Sequence, residues 1–185
     1  MDLRSLVDHW GTTAAERARS YPCDDHFGGG EQAALYRGIS IAARPAVVYR
    51  WLCQMRIAPY SYDWIDNLGR RSPRTLTRGL ERLAVGQPVM LIFRVRSFRK
   101  DEHLTLKLSR RRPFQRVGAL YVSYVVEPEG SNGTRLLVKL AASPPRGVAL
   151  KLLWRALAWG DLVMMRKQLL TFKQLAEQSS ADEDR

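Results

Sequence analysis

Apolar residues return at helical spacing through the last part of the chain: Leu150, Leu153, Trp154 and Leu157, then Val163, Met164, Met165, Leu169, Phe172, Leu175 and Ala176. Arg166, Lys167, Lys173 and Gln174 fall largely between them, and no proline follows Pro145. The pattern predicts a helix over 146–178, and its part from Asp161 to Gln178 alone spans roughly 27 Å. A stripe that wide and long needs a large partner surface. Gly160-Asp161 leaves two possibilities open: one continuous helix, or a break at Gly160 with Asp161 capping a second segment.

The preceding chain alternates instead. Ala34 to Ala42 reads as a strand with Leu35, Ile39 and Ile41 apolar. Pro45 then suits a first helical position, and Val47, Val48, Trp51, Leu52 and Met55 give the next helix its buried side. Three further strands follow: Val89 to Phe98, His103 to Ser109 with Leu104, Leu106 and Leu108 on one face, and Val117 to Glu127. An Asn-Gly turn at 132–133 joins the last of these to Thr134–Ala142, where Leu136, Val138 and Leu140 share a face. Short connections between successive strands make an antiparallel meander. The expected fold is α+β, a curved antiparallel sheet wrapped around a long C-terminal helix.

The N-terminal stretch is different in kind. Leu3, Leu6, Val7 and Trp10 mark a short helix ended by Gly11, and Thr13 with Glu16 forms a capping-box signal for another turn. Pro22 to Glu31, with three glycines, reads as a linker. No Gly-Lys-Ser/Thr follows Gly30, so no phosphate loop is expected, and Asp24, Asp25 and His26 read as an acidic turn rather than a metal site. The organisation expected is therefore a helical lead-in and linker over 1–31, a ligand-binding domain over 32–178, and a disordered polar tail over 179–185.

Composition adds two constraints. Hydrophobic residues are 45% of the 185, enough for a substantial core. Two cysteines make no disulfide framework, the N-terminus lacks a signal-peptide pattern, and no apolar run is long enough to cross a membrane. A cytoplasmic protein is expected. The net charge of +12, mostly arginine, favours anionic partners. Its first reading is a solvated basic surface. An acidic membrane surface remains open, and nucleic acid is not expected, because the basic runs match no binding module.

The segment Arg56 to Gly69 packs Tyr60, Tyr62 and Trp64 into five residues beside Asp63 and Asp66. Either these rings plug one end of the core or they line a pocket mouth.

The order of elements resembles the helix-grip fold of the START/Bet v 1-like superfamily, the polyketide cyclase/dehydrase and lipid transport group. ISIAARPAVVYRWLCQM looks like its first strand and helix, APYSYDWIDNLG like its aromatic segment, LAVGQPV like the turn before the next strand, and WGDLVMMRKQLLTFKQLAE like its closing helix. Gln87 stands where the family often carries an acid. The resemblance implies an apolar cavity between sheet and helix that binds a hydrophobic small molecule. Met55, Tyr60, Tyr62, Trp64, Phe93, Arg96, Tyr124, Met164 and Met165 are the expected ligand-contacting residues. It also implies an alternative, a cyclase or dehydratase using Asp63, Asp66 or Asp161 as acid or base. His9, His26 and His103 are scattered, with no catalytic or metal spacing, and no cofactor is expected.

Overall fold

Six strands carry the alternation into one open antiparallel sheet in a computed structural model, which describes residues 3–66, 69–109 and 118–183, with Arg4 and Asp66 as backbone only. The strands are β1 (Ala33–Ile41), β2 (Pro88–Val89), β3 (Phe93–Arg99), β4 (His103–Leu108), β5 (Leu120–Glu129) and β6 (Gly133–Ala142). Their order across the sheet is β1-β6-β5-β4-β3-β2, so only the pairing of β1 with β6 departs from a simple meander. The register puts Leu35 opposite Leu140, Ile39 opposite Leu136 and Leu106 opposite Val122. Because side chains alternate across a strand, this register gathers one apolar face.

That face is covered by α3 (Pro45–Cys53) and by α5 (Val148–Glu183). Pro45 does open α3, and Val47, Val48, Trp51 and Leu52 are buried. The long helix is continuous: its 36 residues run for about 54 Å through Gly160 without a break. Asp161 therefore caps nothing. The helix also continues beyond Gln178 to Glu183, so most of the stretch expected as a disordered tail is helical. Side-chain partners explain the extension. Glu183 pairs with Arg50 and Arg44, and Ser179 Oγ accepts from Trp51 Nε1 at 3.1 Å. Lys173 and Glu177 bond the backbone at Ser40 and Ala42, fixing this half of α5 to the corner between β1 and α3.

The strand expected over Val89–Phe98 is two strands. Met90 takes a left-handed conformation (φ 52) and the chain turns there, so β2 pairs back onto β3. A bulge between Val95 and Ser97 then adds Arg96 as an extra residue against β4.

The opposite face of the sheet is not open to water. The N-terminal residues form α1 (Leu3–His9), whose Val7 packs with Leu35 of β1 and Ala158 and Leu162 of α5, and α2 (Ala14–Ala18), where the predicted capping box is present, with Glu16 N donating to Thr13 Oγ1 and Thr13 N to Glu16. The presumed linker after α2 lies against the sheet. Tyr21 and Cys23 are buried with Tyr121, Val125, Leu137 and Ala141. This explains why β5 is apolar on both faces. Asp24 is bound to Lys139 at 2.6 Å, and His26 lies against Tyr121 with ring centroids 4.8 Å apart. The remaining helix, α4 (Asp63–Asp66), is a single turn within the aromatic segment.

Candidate functional site

A cavity of about 610 Å³, open on one side, lies between the sheet and the first half of α5. Its floor is the apolar sheet face: Leu35, Leu106, Leu120, Val122 and Leu140. Its roof is α5, with Trp154, Leu157, Gly160, Met164 and Met165. Ile65 from α4 and Met90 to Phe93 from the turn into β3 close the side. Gly160 is part of that roof, and a Cβ built there meets nothing within 4 Å.

Four polar residues interrupt this lining: Ser61, Tyr124, Asp161 and Gln168. Three are organised. Tyr124 donates its hydroxyl to Gln168 Oε1 at 2.8 Å, and Gln168 Nε2 donates to the Pro59 carbonyl at 2.6 Å. With its proton committed, the Tyr124 oxygen presents lone pairs to anything in the cavity. Burial, reinforced by the nearby Asp161 charge, raises its pKa, so it is a neutral phenol. Asp161 accepts from Arg37 Nη2 at 2.7 Å. Arg37 stands on β1 with 1% of its side chain exposed, and Asp161 with 14%, so this is a buried ion pair in the cavity wall. Burial raises the Asp161 pKa above the ordinary carboxylate value, and Arg37 opposes the shift without cancelling it.

The predicted site residues divide. Phe93, Tyr124, Asp161, Met164 and Met165 line the cavity. Met55 and Tyr60 are in the solid core instead: Met55 takes a contact from Gln168, and Tyr60 packs against Trp51 and Phe172. Tyr60 is thus a plug, and burial pushes its hydroxyl up to about 12. Trp64 is 76% exposed and Tyr62 half-buried, so neither lines the cavity. Asp63 accepts from the backbone and hydroxyl of Ser72, which holds the loop after α4. The Asp66 side chain lies outside the described residues. Arg96, expected to reach the ligand, is exposed on the bulge, and its charge bears on His26 behind the sheet.

Arg37, Gln168 and Gly160 were missed. The first two carried a signal. Arg37 occupies the apolar parity of Leu35, Ile39 and Ile41, and Gln168 the apolar phase between Met165 and Phe172. A polar side chain in a buried phase implies a buried partner.

The fold has known counterparts. The protein MLL2253 from Mesorhizobium loti superposes with a TM-score of 0.52 at 13% identity, covering 79% of this chain and 98% of that one. The di-domain ARO/CYC StfQ from the steffimycin biosynthetic pathway superposes at 0.48 and 13% identity, covering 81% of this chain and 52% of StfQ. CalU16 from Micromonospora echinospora gives 0.43 at 14% identity, covering 89% and 92%. Likeness at this identity is a likeness of fold. No family model and no curated protein matches the sequence.

Proposed function

We propose that this chain is a START/Bet v 1-like protein that holds a hydrophobic small molecule between its sheet and α5. The observation carrying this is the cavity of about 610 Å³, within the range of about 300–1,000 Å³ typical of ligand sites. Left to water, such apolar walls forgo about 25 cal/mol for every Å² that a guest would cover. They favour an apolar guest, with Tyr124 accepting a hydrogen bond at one pole. Met164 and Met165 are flexible enough to shape themselves to it.

Gly160→Phe tests the proposal. The new ring enters open space rather than neighbouring atoms. The variant should keep the melting temperature of the wild type, since glycine is the poorer helix former. Native mass spectrometry should find a small molecule retained on the wild-type protein and not on the variant, and the variant should lose uptake of cis-parinaric acid. Unchanged uptake in Gly160→Phe would remove the cavity from consideration.

One observation favours a second reading, a cyclase or dehydratase: Asp161 is a buried carboxyl with a raised pKa on a cavity wall, the setting of a general acid or base. Tyr124→Phe would then lower turnover of a polyketide-like substrate while leaving binding within a few-fold. A loss of binding alone would return Tyr124 to a role in holding the guest.

A further inference from the structure

The two ends of the cavity differ in chemistry. At the open side Ile65 on α4, Leu91 in the turn before β3 and Leu157 on α5 make an apolar rim, and all three are exposed. Tyr124 and Gln168 also line the cavity but are buried, so the polar groups stand at its inner end. Asp161 belongs with them. Its charge bears on the Tyr124 hydroxyl, and it shares a face of α5 with Met164, Met165 and Gln168.

The protons at this end already have destinations. Tyr124 gives its one hydroxyl proton to Gln168 Oε1, and Gln168 Nε2 turns to the Pro59 carbonyl and the Met55 sulfur. Asp161 accepts from Arg37 through Oδ2, while Oδ1 accepts no hydrogen bond among the described residues. Oδ1 is not sealed off either: Asp161 lines the cavity with part of its side chain exposed, so this oxygen opens onto the space. Arg37, the counter-charge, is buried and does not line the cavity. Ser61 is already engaged. The inner end therefore offers two side-chain acceptors, Tyr124 Oη and Asp161 Oδ1, and keeps its cation out of reach.

Such a pole discriminates among guests. A carboxylate oxygen out of bulk water and short of a donor is costly, and an incoming O–H supplies that donor. An ether or ketone would set lone pairs against lone pairs. A carboxylate would set like charges together after losing its water. An ammonium would be stripped of water beside a carboxylate that Arg37 already balances. We infer that the guest is a neutral, hydroxyl-bearing apolar molecule, a phenol or an alcohol, which enters hydroxyl first and donates to Asp161 and Tyr124 at the inner end. This rests on the cavity being a ligand site.

Three naphthalenes test it by calorimetry on the full chain near neutral pH: 2-naphthol, 2-methoxynaphthalene, which keeps the oxygen without its proton, and 2-naphthoate. The naphthol should bind at least about tenfold tighter than the ether, the worth of one hydrogen bond to a charged acceptor. The naphthoate should bind more weakly than the ether. Arg37→Met/Asp161→Leu should erase the preference for naphthol and leave the affinity for the ether unchanged, which a merely structural role would not do. Tyr124→Phe, which keeps the ion pair, should narrow the preference a few-fold.

Uptake of cis-parinaric acid is measured in parallel, since its chain can lie on the apolar walls with its carboxylate left at the open side. Uptake together with equal binding of naphthol and ether, or with the naphthoate bound best, overturns the inference and leaves the ligand site standing. No binding of any of the four compounds overturns both. A preference for naphthol that neither variant alters places the hydroxyl elsewhere and overturns the inference.

Discussion

Arg37 and Asp161 are the residues with most at stake, because each makes the other tolerable. Arg37 donates to Asp161 and to the Tyr36 carbonyl, while its Nε has no hydrogen-bond partner. Removing the carboxylate leaves a buried guanidinium without its counter-charge, which costs about 3–5 kcal/mol in comparable sites. Asp161→Asn should therefore lower the free energy of unfolding by roughly that amount in denaturant titration. Arg37→Met/Asp161→Leu, which removes both charges, should be markedly less destabilised than either single variant, and equal losses in all three would show that the pair does not act as a unit. The two buried thiols are quiet. Burial pushes the Cys53 thiol up to about 12 and the Cys23 thiol to about 11, so neither is a thiolate nucleophile near neutrality.

At the scale of elements, one close crossing joins the N-terminal segment to the sheet. Gly38 on β1 donates its N–H to the Trp10 carbonyl at 3.0 Å, just before Gly11 turns the chain with a positive φ of 73°. Both glycines are needed for the approach. A Cβ at Gly38 would sit 2.8 Å from the Gly11 carbonyl oxygen, and one at Gly11 would sit 2.1 Å from that of Gly38. Backbone cannot yield as a flexible side chain can. Gly38→Ala should cost about 1–3 kcal/mol. Limited proteolysis should also cut before Ala33 sooner than in the wild type; identical cleavage would show that the crossing is not tight. The same approach explains an exception to the β1 pattern, since no larger side chain fits where the lead-in passes.

The whole molecule is a sheet covered twice, by α3 and α5 on one face and by the stretch from Tyr21 to Phe27 on the other, while α1 packs Val7 against Leu35, Ala158 and Leu162 beside α5. Three ion pairs hold the N-terminal segment to β5 and β6, Glu16 to Arg135 at 2.7 Å, Asp24 to Lys139 at 2.6 Å and Arg19 to Glu127, and Asp8 ties α1 to Arg155 of α5 at 3.6 Å. The Arg135 hydrogen bond holds Glu16 down to about 2 against an ordinary value of 4.5. A depressed carboxyl stabilises the folded state above its ordinary pKa and loses that contribution as it is protonated. Stability should therefore fall as pH drops from about 4.5 toward about 2, and Glu16→Gln should flatten this part of the profile. A variant as acid-sensitive as the wild type would place the loss elsewhere.

How much of this was legible beforehand varies with the range of the interaction. Local signals held: Pro45 opens α3, Thr13 and Glu16 form their box, and the alternation of Leu104, Leu106 and Leu108 names the buried face of β4. Sequence periodicity likewise called for a long amphipathic helix against an antiparallel sheet. It could not say where that helix outruns the sheet, so Leu157 and Val163 look the same in sequence as Leu169 and Phe172, although only the latter two are buried. Nor could it place Arg96, whose face was set by a bulge, or Trp64 and Tyr60, four residues apart but at opposite extremes of exposure. Helix and strand follow from interactions between near neighbours, and these are written in order along the chain. The cavity, its polar pole of Asp161, Tyr124 and Gln168, and its uncovered rim arise where residues far apart in sequence meet or fail to meet, and only the packed molecule decides that.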